Sequence, residues 1–103
     1  MQSPDAVTAL AALAHESRLA AFRLLVQAGP EGLAASRIAE SLDIANSSLS
    51  FHLKELAHAG LVTARQDGRF VIYAARFDTM NALLGFLTEN CCGGAPCTPA
   101  NPC

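Results

Sequence analysis

Charge is scarce in this chain: 16% of its 103 residues are Asp, Glu, Lys or Arg, and the formal net charge is -2. That argues against a protein that coats nucleic acid by bulk electrostatics. Aromatic residues are few as well, with no Trp, one Tyr and five Phe, so the core must be aliphatic, a composition that favours helices over a large sheet. No apolar run approaches the length of a membrane span. Residues 6–14 are apolar enough to imitate the middle of a signal peptide, but no Lys or Arg precedes them and Asp5 does, so the expected location is cytoplasmic, with no membrane partner. In that compartment the four Cys read as reduced thiols that bind or sense something rather than as a disulfide frame. No Ser, His and Asp stand in catalytic order and no Gly-rich phosphate loop is present, so an enzyme is not expected.

What is present organises itself as one domain over residues 1–90 and a tail over 91–103. A domain of this size is small enough for a second copy of the chain to complete its core usefully. Its charge is unevenly spread. Lys54, Arg65, Arg69 and Arg76 face only Glu55 and Asp67 between residues 45 and 76, a local excess of +2, while the remainder carries -4.

The order of elements follows from apolar spacing and stop signals. Ser3-Pro4-Asp5 predicts a helix start with Ser3 as cap, followed by Val7, Leu10, Ala11 and Ala14 on one side. Those side chains are too small to be a core alone but suit close packing on a partner chain. A second helix begins near His15 and carries Leu19, Phe22, Leu25 and Val26 until Gly29-Pro30 stops it. A short third helix over 33–42 turns Ile38 and Leu42 inward, and Asp43-Ile44-Ala45 leads to Asn46 as cap of a fourth, making a helix-turn-helix. In that fourth helix Leu49, Leu53 and Leu56 share one side, whereas Ser47, Ser48, Ser50, Phe51, His52 and Lys54 point elsewhere. This second set is polar, small and mixed, which suits a DNA groove better than a charged solvent coat. The plainer account of the serines is a solvated helix start.

Gly60 ends that helix. Two strand-like segments, residues 61–66 and 69–74, flank Asp67-Gly68, whose two positions would both take positive φ in a tight hairpin turn. A hairpin directly after a helix-turn-helix is a wing, and Arg65, Gln66 and Arg69 at its tip are candidates for phosphate or minor-groove contact. Asp78 is the expected cap of a last helix with Met80, Leu84, Leu87 and Cys91 in an apolar stripe beside Leu83. The composition then shifts to a flexible Cys-rich tail. The expected fold is therefore mostly α with a small β-hairpin, a winged helix-turn-helix of order α-α-α-α-β-β-α that forms a homodimer through its first and last helices.

Ala12-Leu13-Ala14-His15-Glu16-Ser17-Arg18, the string from Ser47 through Leu56, Ala59-Gly60-Leu61-Val62 and Asp67-Gly68-Arg69 together resemble the ArsR/SmtB family of winged-helix metal sensors, over residues 6–92. The resemblance implies a homodimeric repressor that binds a palindromic double-stranded operator and lets go when a metal or metalloid binds. Departures from the family narrow the input. Residues 33–42 contain no Cys and residues 77–90 no His, so two sites used by other members are missing. Phe51 stands where a basic residue is common.

There remains a thiol cluster of Cys91, Cys92 and Cys97, with Cys103 as the least certain ligand. It resembles that of members that bind trivalent arsenic at the end of the last helix. Trivalent arsenic is soft and pyramidal, and three thiolates saturate it. No permanent cofactor is expected; As(III) is the expected inducer, with Sb(III) an alternative. Other readings stay open at this point: a redox input through a disulfide from Cys92 to Cys97 or Cys103, a Cd or Zn site of four thiols, and a thiol-based metalloid carrier or exchange enzyme.

Overall fold

Apolar residues recurring every three or four positions fold into helices wherever Gly, Pro or a tight turn does not interrupt them. The computed structural model describes residues 1–94. Among these the helices are α1 (Ser3–Leu13), α2 (Glu16–Ala28), α3 (Ala35–Leu42), α4 (Asn46–His58) and α5 (Phe77–Leu87), with strands β1 (Leu33–Ala34), β2 (Val62–Asp67) and β3 (Phe70–Ala75) and a single 3-10 turn at Cys91–Gly94. The winged helix-turn-helix expected from the sequence is the architecture found, with one added element. No helix among the described residues is long and apolar enough to cross a membrane.

That addition is β1. The sequence reads as helix from residue 33, but Leu33 and Ala34 pair antiparallel with Tyr73 and Ile72, giving a three-stranded sheet in the order β1-β3-β2. Gly32 makes the seam possible. Its φ is +74°, and a Cβ there would collide with the Tyr73 carbonyl oxygen, so only glycine lets the two backbones meet. Across the hairpin Asp67 pairs with Phe70, which leaves Gly68 and Arg69 as the two loop residues. The turn thus sits one residue later than Asp67-Gly68 predicts. Gly68 (φ +64°) takes the first central position and Asp67 does not adopt positive φ, an arrangement that needs only one glycine.

Helix starts also differ from expectation, each for a local reason. In α1 the cap is Gln2 rather than Ser3: its side chain and that of Asp5 each hold the other's backbone N–H in a capping box, with Pro4 tolerated in the first turn. Asp43 closes α3 in the left-handed conformation (φ 54°), and the following cap is Ala45 rather than Asn46. The cap of α5 is Arg76, and Asp78 instead forms a 2.9 Å ion pair with it inside the first turn. The end of α5 departs too. The Thr88 hydroxyl donates to the Leu84 carbonyl (2.8 Å) and Asn90 takes φ +58°, so the helix stops before Cys91, which is not part of its stripe.

The core is aliphatic, with Ala21, Leu25, Ile38, Leu49, Leu53, Leu56 and Leu61 essentially inaccessible and no buried polar residue among those described. Full burial of each such Leu contributes about 1.5–3 kcal/mol. The apolar side predicted for α1 proves to be outward: Ala6, Ala9 and Ala12 pack inward, while Val7 and Leu10 are exposed. Between α2 and α5 lies an open apolar groove of about 320 Å³, lined by Leu19, Phe22, Val26, Met80, Leu83 and Leu84 among others.

Candidate nucleic-acid interface

The fourth helix is held by its inner face and free on its outer one. Leu49, Leu53 and Leu56 are at most 1% exposed and lock it onto the core. At 100° per residue, positions 47, 51 and 54 fall on the side opposite this stripe. Ser47, Ser48, Phe51 and Lys54 are accordingly exposed, and Phe51 shows 59% of its surface. A phenyl ring on this outer face is available to pack against another surface.

Two residues expected on that face are placed elsewhere. Ser50 is half-buried and lines a cleft of about 320 Å³ between α4 and the wing, shared with Ser36, Asn46, Arg69, Phe70 and Tyr73. His52 turns toward the start of α2, its ring 4.5 Å from that of His15. The reason was available in the spacing, because residues 49, 52, 53 and 56 follow the i, i+3, i+4, i+7 pattern of a packed face. His15 is itself fixed, its Nδ1 accepting from the Ser17 N–H as the cap of α2. The His52 Nδ1 is buried without a hydrogen-bond partner among the described residues. Burial, then the neighbouring His15 and Arg18, hold the His52 imidazole below its ordinary value of 6.5. Arg18 serves the same corner, with its Nε donating to the Ala12 carbonyl at the end of α1 (2.6 Å).

On the wing the three predicted residues separate. Arg65 donates through Nη2 to the Glu31 carbonyl (2.8 Å), tying β2 to the loop before β1. Gln66 donates to the Gly68 carbonyl across the turn (2.9 Å). Arg69 alone of the three makes no hydrogen bond or ion pair among the described residues, and it stands at the cleft beside α4. Nothing in the local sequence points to Asn46 and Ser36 as neighbours of Arg69. Only the sheet, which brings β3 back beside the helix-turn-helix, puts them together.

Of the predicted thiols, Cys91 is half-buried at the start of the 3-10 turn. Cys92 follows it in the same turn, and Cys97 and Cys103 lie outside the described residues. Among the described residues no group of three or more His, Cys, Asp or Glu stands close enough to hold a metal ion.

A family model described as a helix-turn-helix domain matches residues 13–65, the stretch from the end of α1 into the wing. The chain is 39% identical over 89 residues to the uncharacterised HTH-type transcriptional regulator YceK of Bacillus subtilis, a match spanning 84% of this chain and 88% of that one. It is 42% identical over 67 residues to a protein of Halobacterium salinarum named "Putative arsenical resistance operon repressor ArsR", covering 65% of this chain and 51% of that protein. Among solved structures, the homodimeric winged helix-turn-helix DNA-binding domain of Mb0332 from Mycobacterium bovis, described as a possible ArsR-family transcriptional regulator, superposes with a TM-score of 0.68 at 27% identity, over 84% of this chain and 81% of that one. A reading helix seated by its leucines, a wing tied back to the chain and these likenesses agree: the chain belongs to the ArsR/SmtB family of winged-helix transcriptional regulators.

Proposed function

We propose that this regulator is an arsenite-responsive repressor that works as a homodimer. The observation that carries the DNA half of the reading is the outer face of α4, where Ser47, Ser48, Phe51 and Lys54 stand exposed on a helix whose opposite face is wholly buried. In a major groove the serines contact base edges or phosphates, Phe51 packs on a thymine methyl and Lys54 takes a backbone phosphate. Two such helices in a symmetric pair read the halves of a palindromic operator, about 34 Å apart. The pair forms through α1 and α5, whose Val7, Leu10, Leu84 and Leu87 are exposed in the single chain.

The input is As(III), bound by Cys91, Cys92 and Cys97, with Cys103 as an alternative third ligand. Their number, three thiols within residues 91–97, supports this reading, as does the name of the Halobacterium relative. Binding fixes the chain beyond α5 and shifts the dimer geometry, so that the two reading helices no longer match the half-site spacing. A coupling of about 1–3 kcal/mol suffices for derepression. The test is binding to a fragment from upstream of the gene, with and without arsenite, comparing the wild type with Cys91→Ser and Cys97→Ser. Release that persists unchanged in both variants removes the site.

A further inference from the structure

We propose that the proton is a second input to this regulator, received at the corner where α4 is seated on the start of α2, and that protonation of the His15–His52 pair loosens that seat and weakens operator binding. This rests on the DNA-binding reading above and adds to it a control of the reading helix from behind, independent of the thiols. The corner is built to hold two neutral imidazoles. The rings of His15 and His52 lie 4.5 Å apart, a spacing at which a second positive charge is disfavoured. His15 caps α2 by accepting the Ser17 N–H at Nδ1 (3.1 Å), and that bond uses a lone pair which an imidazolium lacks. A cation there would also face the positive end of the α2 dipole. On His52 the buried Nδ1 has no hydrogen-bond partner among the described residues. A bare acceptor in that place costs little beside a charged N–H with nothing to receive it.

No carboxylate relieves the corner. The charged groups that act on His52 are His15 and Arg18 of α2, and both add to burial in disfavouring its proton. Arg18 is kept there by its bond to the Ala12 carbonyl. The other elements packed on α4 bring Asp5 (α1), Glu16 and Arg23 (α2), Arg37 and Glu40 (α3) and Arg65 and Asp67 (β2), and α4 itself carries Lys54, Glu55 and His58. None of these contributes to the effect on His52.

The corner reaches the reading face in one step. Phe51 stands edge-on to His52, with 5.8 Å between ring centroids and 68° between planes, so one imidazole touches both the cap of α2 and the exposed phenyl ring. A protonated His52 is better solvated in water than in the corner. Turning it outward removes the support of Phe51 and part of the packing of α4 on α2. The protonated form therefore belongs to a loosened head, and DNA selects the seated, neutral one. By reciprocity, operator binding expels protons. Simple attraction between a histidine cation and a polyanion predicts the opposite, tighter binding in acid with protons taken up. The sign decides between them.

Full-length wild type, His52→Gln, His15→Asn and His58→Gln are titrated without arsenite against the upstream fragment and a random-sequence duplex of equal length, at about pH 7.5 and about pH 5.5. The heat of binding at about pH 6, in buffers of different ionisation enthalpy, counts the protons released or taken up. The expected result is that the wild type's preference for the upstream fragment falls about fivefold on acidification, with protons released on binding. His52→Gln keeps its preference across the same change. His15→Asn, in which Asn still caps α2, shows a smaller fall. His58→Gln, altered at an exposed position on the last turn of α4, behaves as the wild type. A constant preference in the wild type, proton uptake, an undiminished fall in His52→Gln or His15→Asn, or a fall abolished in His58→Gln overturns the proposal. Wild type that binds neither duplex at the higher pH overturns instead the DNA reading on which it rests. Thermal unfolding of each variant at both pH values identifies losses that come from misfolding, and the proton count on the wild type decides the sign even where His52→Gln does not fold.

Discussion

Helices α4 and α5 are nearly the same length and both carry a stripe of leucines, but one is finished within the chain and the other is not. In α4 three leucines are buried to within 1%. In α5 only Leu83 is buried, while Leu84 and Leu87 are 53% and 54% exposed above an open apolar groove. Amphipathic spacing alone does not distinguish them, since it says which residues share a side and not what covers that side. On the proposed function the difference matches their tasks. The helix that would present side chains to DNA is immobilised by its own domain, and the helix that would meet a second chain keeps its apolar side open.

The most severe way to break this contrast is Leu53→Ala. It empties a fully enclosed site in α4 and is expected to cost about 2–5 kcal/mol in urea unfolding; a loss below 1 kcal/mol would show that α4 is not seated as described. Next comes Gly32→Ala, which places a Cβ against the Tyr73 carbonyl in a left-handed backbone. An expected cost of about 1–3 kcal/mol, with faster proteolysis near residue 33, would mark the β1 seam as part of the finished half. The unfinished half is probed by Leu84→Ser combined with Leu87→Ser. Helix content by circular dichroism should hold while sedimentation shows a dimer dissociation constant raised about tenfold or more. An unmoved constant would place the dimer surface elsewhere.

The mildest test concerns pH. His52 has a folded-state pKa below the ordinary 6.5, so the unfolded chain binds the proton more readily. Its stability is then full above pH 6.5 and falls as pH drops from 6.5 toward the lowered folded value. Stability curves should converge in slope for wild type and His52→Gln above that window, with only the wild type sagging inside it. Parallel curves throughout would mean that the burial of His52, beside His15 and Arg18, does not lower its pKa in the folded chain.

The sequence was most legible where one local rule acts alone. The stop at Gly29, the leucine stripe of α4 and the hairpin all follow from residues close in the chain. It misled where two local options compete, as at the helix starts, where Gln2, Ala45 and Arg76 hold positions that Ser3, Asn46 and Asp78 seemed to claim. Tertiary pairing was invisible. Nothing in Leu33-Ala34 alone says strand, since that pairing depends on Tyr73 and Ile72 some forty residues away. The candidate interface was half legible for the same reason. Outward residues of α4 could be counted off its period, but the neighbours of Arg69 are set by the sheet.

The β1 seam, together with the Arg65 tie to Glu31, removes a freedom that hairpin wings are often assumed to have. With β3 stitched to the chain ahead of α3, and β2 tied to the same loop, the wing cannot swing without dragging the helix-turn-helix along. In the proposed pair each reading head then behaves as one leg of a caliper, stiff along its length. An inducer acting beyond α5 has no leg to bend and can only change the opening at the pivot. Release would come from a wrong gap between two intact heads, and each head alone would keep its grip on a single half-site.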